Sequence, residues 1–304
     1  MAHPISVIVR QNHSMKTCAS LLTIACLAAI VSTAIPQGSA RKSSLTGNIK
    51  HHANFHSKVL NNDRHVIVYL PPDYETNINR RYPVLYMHDG QNVFDGMTSY
   101  IPNQEWRADE AAERLISSGL IEPVIIVGID NAGVERANEY LPTTMTRPDG
   151  TKWGGKADLY GKMLIEEIKP FIDQTYRTKK DRSNTALGGS SFGGVITLHL
   201  GLTRPDVFSK LLVVSPSLWW DHNLLIKKLE ELKNKPNQKI WIDMGTSEGD
   251  SSVTSAKEAA DALVKKGMSM GRDIALYIDS GAEHNEIAWA RRFPSMLTFL
   301  FRKG

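Results

Sequence analysis

The chain has 304 residues, 41% hydrophobic and 22% charged, with a net charge of +4, a balance ordinary for a soluble globular protein with a full core. No block of Lys or Arg is dense enough for a nucleic-acid surface, so no nucleic-acid partner is expected. Both cysteines, Cys18 and Cys26, fall within the first 40 residues, which excludes a disulfide or a cysteine nucleophile from the rest.

Residues 1–40 read as a secretory signal peptide. Arg10 and Lys16 precede an apolar run over 19–34, and small residues follow at the cleavage positions, with Ala40 or Ala34 as the last residue removed. Met1 and Met15 are both sensible starts. The run is shorter than the ~20 residues of a membrane span, so the exported chain is expected to be secreted or periplasmic, with no stable span. Without Arg10 and Lys16 its charge falls to about +2, which favours no particular partner.

Residues 41–304 read as a single domain, with 41–48 a loose polar leader. Strands are predicted over 65–70 and 83–87, closed by Pro71-Pro72 and by His88-Asp89-Gly90. A helix over 106–116 stops at Gly119, and a buried strand follows over 123–129. A second helical stretch covers 158–176, with Pro170 expected to kink or split it. Then come a strand over 184–188, a helix over 192–202 and strands over 211–214, 240–244 and 274–278. Helices over 224–232, 256–266 and 287–301 complete the series. Apolar strands alternating with helices imply an α/β fold with a mostly parallel sheet covered on both faces, and chemistry at the carboxyl ends of its strands.

Gly189-Ser190-Ser191-Phe192-Gly193 stands between a predicted strand and a predicted helix. In that context G-x-S-x-G reads as a nucleophile elbow, a sharp turn that lifts Ser191 above the sheet and needs small neighbours. A serine hydroxyl needs a histidine to take its proton and an acid to orient that histidine, in the order Ser, acid, His on this kind of sheet. The loop Gly245-Thr246-Ser247-Glu248-Gly249-Asp250 supplies Glu248, with Asp250 in reserve, and Ser280-Gly281-Ala282-Glu283-His284 supplies His284. His88 and His222 are the competing histidines. An oxyanion hole needs two backbone donors, expected from Phe192 and from Gln91 after Gly90. Trp219, Trp220, Arg136 and Tyr140 are expected at the rim, where they suit an aromatic or sugar-linked acyl ester, small or polymer-linked. Metal-binding and cofactor motifs are not met, so neither metal nor cofactor is expected.

These features carry a resemblance. Val68-Tyr69-Leu70-Pro71-Pro72-Asp73-Tyr74, the stretch from Arg81 through His88-Asp89-Gly90-Gln91 to Asp95, and Gly189-Ser190-Ser191-Phe192-Gly193-Gly194 are its main segments. Ser215-Pro216-Ser217-Leu218-Trp219-Trp220 and Gly245-Thr246-Ser247-Glu248 add to it. Together they resemble the esterase family of α/β-hydrolases that includes feruloyl esterase domains, siderophore esterases and esterase D. The resemblance implies Ser191 as nucleophile, His284 as base and the 245–248 loop as source of the acid, where many relatives carry aspartate. It implies hydrolysis of carboxylic esters through an acyl-enzyme. Acyl transfer to an alcohol would use the same residues, and a non-catalytic binding protein on the same scaffold is the reading from another class.

Overall fold

A computed structural model describes residues 40–303. The expected signal peptide, with Cys18 and Cys26, lies outside the described residues except for Ala40. The strands are β1 (Asn48–Ser57), β2 (Asn62–Leu70), β3 (Val84–His88), β4 (Ile125–Ile129), β5 (Thr144–Thr146), β6 (Lys152–Gly154), β7 (Thr185–Ser190), β8 (Lys210–Val214), β9 (Lys239–Gly245) and β10 (Ile274–Asp279). The helices are α1 (Ala108–Ser117), α2 (Arg136–Tyr140), α3 (Ala157–Met163), α4 (Lys169–Thr175), α5 (Phe192–Thr203), α6 (Trp220–Glu231), α7 (Asp250–Lys265) and α8 (Glu286–Phe301).

Eight strands form one sheet in the order β1-β2-β4-β3-β7-β8-β9-β10, and β5-β6 is a separate hairpin. From β4 to β10 every neighbouring pair is parallel, whereas β1-β2 and β2-β4 are antiparallel. Alternate side chains of a strand point to opposite faces, and the core divides accordingly. Val84 and Tyr86 of β3 pack with α3 and α5, while Leu85 and Met87 pack with α1 and α8. This is the expected α/β-hydrolase arrangement of a mostly parallel sheet covered on both faces.

One local expectation needs correction and two need detail. Residues 41–48 are not a loose leader: Arg41 Nη1 donates to Met97 O at 2.8 Å, Ser44 N to Asp95 Oδ1 at 3.0 Å and Thr46 N to Asp109 Oδ2 at 2.6 Å. Next, β1 was hidden in a polar, histidine-rich stretch because an edge strand half open to water carries little apolar signal. Finally, the break within 158–176 is a π-helical turn over Leu164–Ile168. The division falls directly ahead of Pro170, as expected, because the proline has no N–H to give the carbonyls of the helical turn before it.

Candidate active site

Ser191 follows β7 and precedes α5 with φ 60 and ψ −122, a conformation that disfavours any residue with a Cβ. The flanking glycines make the turn possible. A Cβ at Gly189 would meet His88 Cβ at 3.0 Å, and one at Gly193 would meet Asp89 Oδ2 at 3.2 Å. Ser191 N donates to Val214 O at 3.1 Å, which ties the elbow to the end of β8.

Glu248 closes a 3-10 turn over Thr246–Glu248 directly after β9, and His284 lies between β10 and α8. His284 Nδ1 donates to Glu248 Oε2 at 2.6 Å, with the histidine side chain 43% exposed and the glutamate 4%. Asp250 instead opens α7 and is exposed. The other oxygen, Glu248 Oε1, accepts from Gly245 N at 2.8 Å and from Ser215 Oγ at 2.7 Å. Burial pushes the Glu248 pKa up, but its bonds from His284, Ser215 and Gly245 outweigh that and hold it below its ordinary value. Ser191 Oγ lies 3.5 Å from Ser217 Oγ. Among the described residues the structure brings His284 to Glu248 but shows no hydrogen bond between His284 and Ser191.

The two expected oxyanion donors lie in the first turns of helical segments, where amides have no intrahelical acceptor. Phe192 begins α5, and Gln91 sits in the 3-10 turn Gly90–Asn92. Asp89 precedes that turn with φ 57. Its carboxylate accepts from Arg136 and from Asn131 Nδ2 at 2.7 Å, while Gln91 Oε1 accepts from Asn131 N at 3.2 Å.

The four expected rim residues separate. Trp219 is 56% exposed and shares the wall of a cavity of about 240 Å³ with Ser217, Met244, Glu248 and His284. Trp220 is buried, and its Nε1 donates to Thr143 Oγ1 at 3.0 Å. Tyr140 is fully buried, with its hydroxyl accepting from Asp89 N at 3.2 Å. Arg136 is engaged with Asp89 and lies over the Phe192 ring at 5.5 Å. A larger cavity of about 790 Å³ lies between residues 42–44, α1 and α8, and none of Ser191, Glu248 or His284 lines it.

The competing histidines take other places. His88 is buried with Nδ1 against Tyr160 Oη at 2.8 Å, and burial pushes its pKa down to about 3. His222 sits in a run of left-handed residues, Asp221 to Asn223, and is exposed. Among the described residues, a group with metal-ligand spacing is Glu105, Asp109 and Glu110, with oxygens within 4.8 Å of one another. No candidate catalytic residue belongs to it.

Ser215, Asp243 and Arg292, all nearly or fully buried, lie outside the residues the motifs point to. The available signal was a charge inside an apolar run: Asp243 interrupts 240–244, and Arg292 lies among Trp289, Phe293 and Met296.

A family model described as "Putative esterase" matches residues 57–300. The chain is 32% identical over 185 residues to ferri-bacillibactin esterase BesA of Bacillus subtilis, covering 55% of this chain and 60% of that protein. It is 28% identical over 270 residues to an endo-1,4-beta-xylanase/feruloyl esterase of Xylanibacter ruminicola, covering 86% of this chain and 32% of that one. The chain thus spans less than two thirds of the length of either relative. The BES protein from Bacillus cereus shares the fold with a TM-score of 0.66 at 20% identity, over 87% of this chain and 98% of that one. The enterobactin esterase from Shigella flexneri, solved in the presence of enterobactin, gives 0.65 at 20% identity, over 84% of this chain and 60% of that one. With the family model spanning most of the described residues on an α/β-hydrolase fold, the chain belongs to this esterase family.

Proposed function

We propose that residues 41–304 form a single-domain, exported serine esterase that hydrolyses carboxylic esters through an acyl-enzyme. Ser191 attacks the ester carbonyl, and His284 takes its proton and returns it to the leaving alcohol. The acyl group is then released by water activated by the same imidazole. Glu248 holds the imidazole with Nδ1 protonated, and the Phe192 and Gln91 amides receive the oxyanion. The observation that carries this reading is the 2.6 Å bond from His284 Nδ1 to Glu248 Oε2, beyond the carboxyl ends of β9 and β10, in the parallel sheet whose strand β7 ends just before Ser191.

The substrate class follows from the wall of the site. Trp219 stands open to solvent beside His284, with Phe192 6.2 Å from it, which suits an aromatic or sugar-linked acyl group on a small or polymeric ester. The relative named as a feruloyl esterase acts on an aromatic acyl ester, which agrees with that choice.

A fluorophosphonate probe tests the reading directly. Wild type is expected to be labelled on Ser191, with labelling lost in Ser191→Ala and strongly slowed in His284→Ala. Labelling that persists in Ser191→Ala overturns it. Product analysis with added alcohols separates hydrolysis from acyl transfer.

A further inference from the structure

Glu248 is held by a buried hydroxyl whose own proton has only one place to go. Ser215 lies at the end of β8 with φ 38 and 1% exposure. Its Oγ accepts from Trp289 Nε1 at 3.0 Å and from Arg292 Nη2 at 2.9 Å. A hydroxyl has two acceptor positions and one proton. With both acceptor positions filled by donors that cannot act as acceptors, the Ser215 proton is directed to Glu248 Oε1, 2.7 Å away.

The anchor behind Ser215 is equally fixed. Arg292 Nη2 lies 3.2 Å from Asp243 Oδ1, and both side chains are nearly fully buried. Asp243 also accepts from Ser215 N at 3.0 Å and from Trp241 Nε1 at 2.8 Å. Residues from β8, β9 and α8 therefore meet behind one carboxylate, and they hold Ser215 in a backbone conformation that a non-glycine residue keeps only under constraint.

We infer that Ser215 is a positioning residue for the esterase reaction: clamped by Trp289, Arg292 and Asp243, it fixes Glu248 so that Oε2 faces His284. The inference rests on the proposed roles of Ser191, His284 and Glu248. The indole of Trp289 also packs edge-on against the His284 ring, with centroids 5.1 Å apart, so one side chain touches both ends of the clamp. Arg292 supplies a positive charge that polarises the hydroxyl it donates to, while Asp243 balances that charge.

A double-mutant cycle on the full-length chain tests this, with p-nitrophenyl acetate as substrate and melting temperature recorded for each variant. Ser215→Ala is expected to lower kcat about 10–100-fold with KM changed less than about 2-fold, the range that loss of one hydrogen bond to a charged group gives. In a Glu248→Ala background the same change should lower kcat no further, because the residue through which Ser215 acts is gone. An equal loss in both backgrounds overturns the positioning role and marks Ser215 as a packing residue. Full kcat in Glu248→Ala alone overturns instead the reading of Glu248 as the acid. Should Ser215→Ala fail to fold, Trp289→Phe removes one donor to Ser215 while keeping an aromatic ring against His284. It should lower kcat about 3–10-fold, again only while Glu248 is present.

Discussion

Arg136 grips Asp89 through two hydrogen bonds, from Nε to Oδ1 at 2.7 Å and from Nη2 to Oδ2 at 2.8 Å. Asp89 occupies a left-handed position just before Gly90-Gln91, so the pair braces the loop expected to supply one oxyanion donor. Burial alone would raise the Asp89 pKa, but the guanidinium outweighs it and holds the carboxyl below its ordinary value. Replacing Arg136 by Met leaves that buried carboxylate without its cation. The expected destabilisation is about 2–3 kcal/mol, under the ~3–5 kcal/mol of a fully buried pair because Arg136 is partly exposed. Urea denaturation of Arg136→Met and of Arg136→Met/Asp89→Asn checks it, and the double variant should recover part of the loss.

The His284–Glu248 bond predicts a large kinetic effect from a change of one atom. Glu248→Gln preserves size but replaces an acceptor with an amide, and kcat should fall about 10³–10⁴-fold with little change in KM. Asp250→Asn, on a residue that does not contact His284, should leave kcat within about 2-fold. Equal losses in the two variants would contradict the pairing.

Gly90 is irreplaceable for a reason of space. A Cβ there would lie 2.5 Å from Gly128 C and from Ile129 N, both backbone atoms of β4 that cannot turn aside. Gly90→Ala should cost about 1–3 kcal/mol by overpacking. It should also lift the Gln91 amide and lower kcat about 10²-fold as that donor moves. Thermal melting and steady-state kinetics on one preparation give both numbers.

Asp109 and Glu105 set the direction of a pH effect. Burial is the largest cause in each, and it pushes Asp109 up to about 8 and Glu105 up to about 7. The folded chain therefore binds protons that the unfolded chain has already released. Their contribution to stability is complete below about pH 4, and it is lost as pH rises through about 7 and 8. Asp109→Asn cannot ionise and can still accept from Thr46. Melting curves from pH 5 to pH 9 should show a decline in wild type that this variant reduces by a few °C. Parallel declines would count against it.

Much of this architecture was legible because its signals are local and periodic. The apolar runs that became β3, β4, β8 and β9 have no other stable place than a covered sheet, and the helix expected from 224 begins where the left-handed run at Asp221–Asn223 ends. What could not be read were distances between elements. Glu248 and Asp250 share one glycine-rich loop, and only the 3-10 turn that closes on Gly245 N shows which carboxylate reaches His284. Tyr140 and Arg136 lie one helical turn apart, yet one is fully buried and the other partly open, because α2 leans on the Asp89 loop. The Ser215 clamp joins three distant stretches of chain, which no local pattern announces.

The short run from Arg41 to Thr46 has the composition of a spacer, but it supplies donors to Asp95 and Asp109. A tag joined just ahead of Asn48 would strip those carboxylates of their partners, whereas one ending ahead of Arg41 would leave them satisfied. The boundary at which the domain can be trimmed therefore lies some seven residues earlier than its first strand, and choosing it by secondary structure alone would yield a weakened protein.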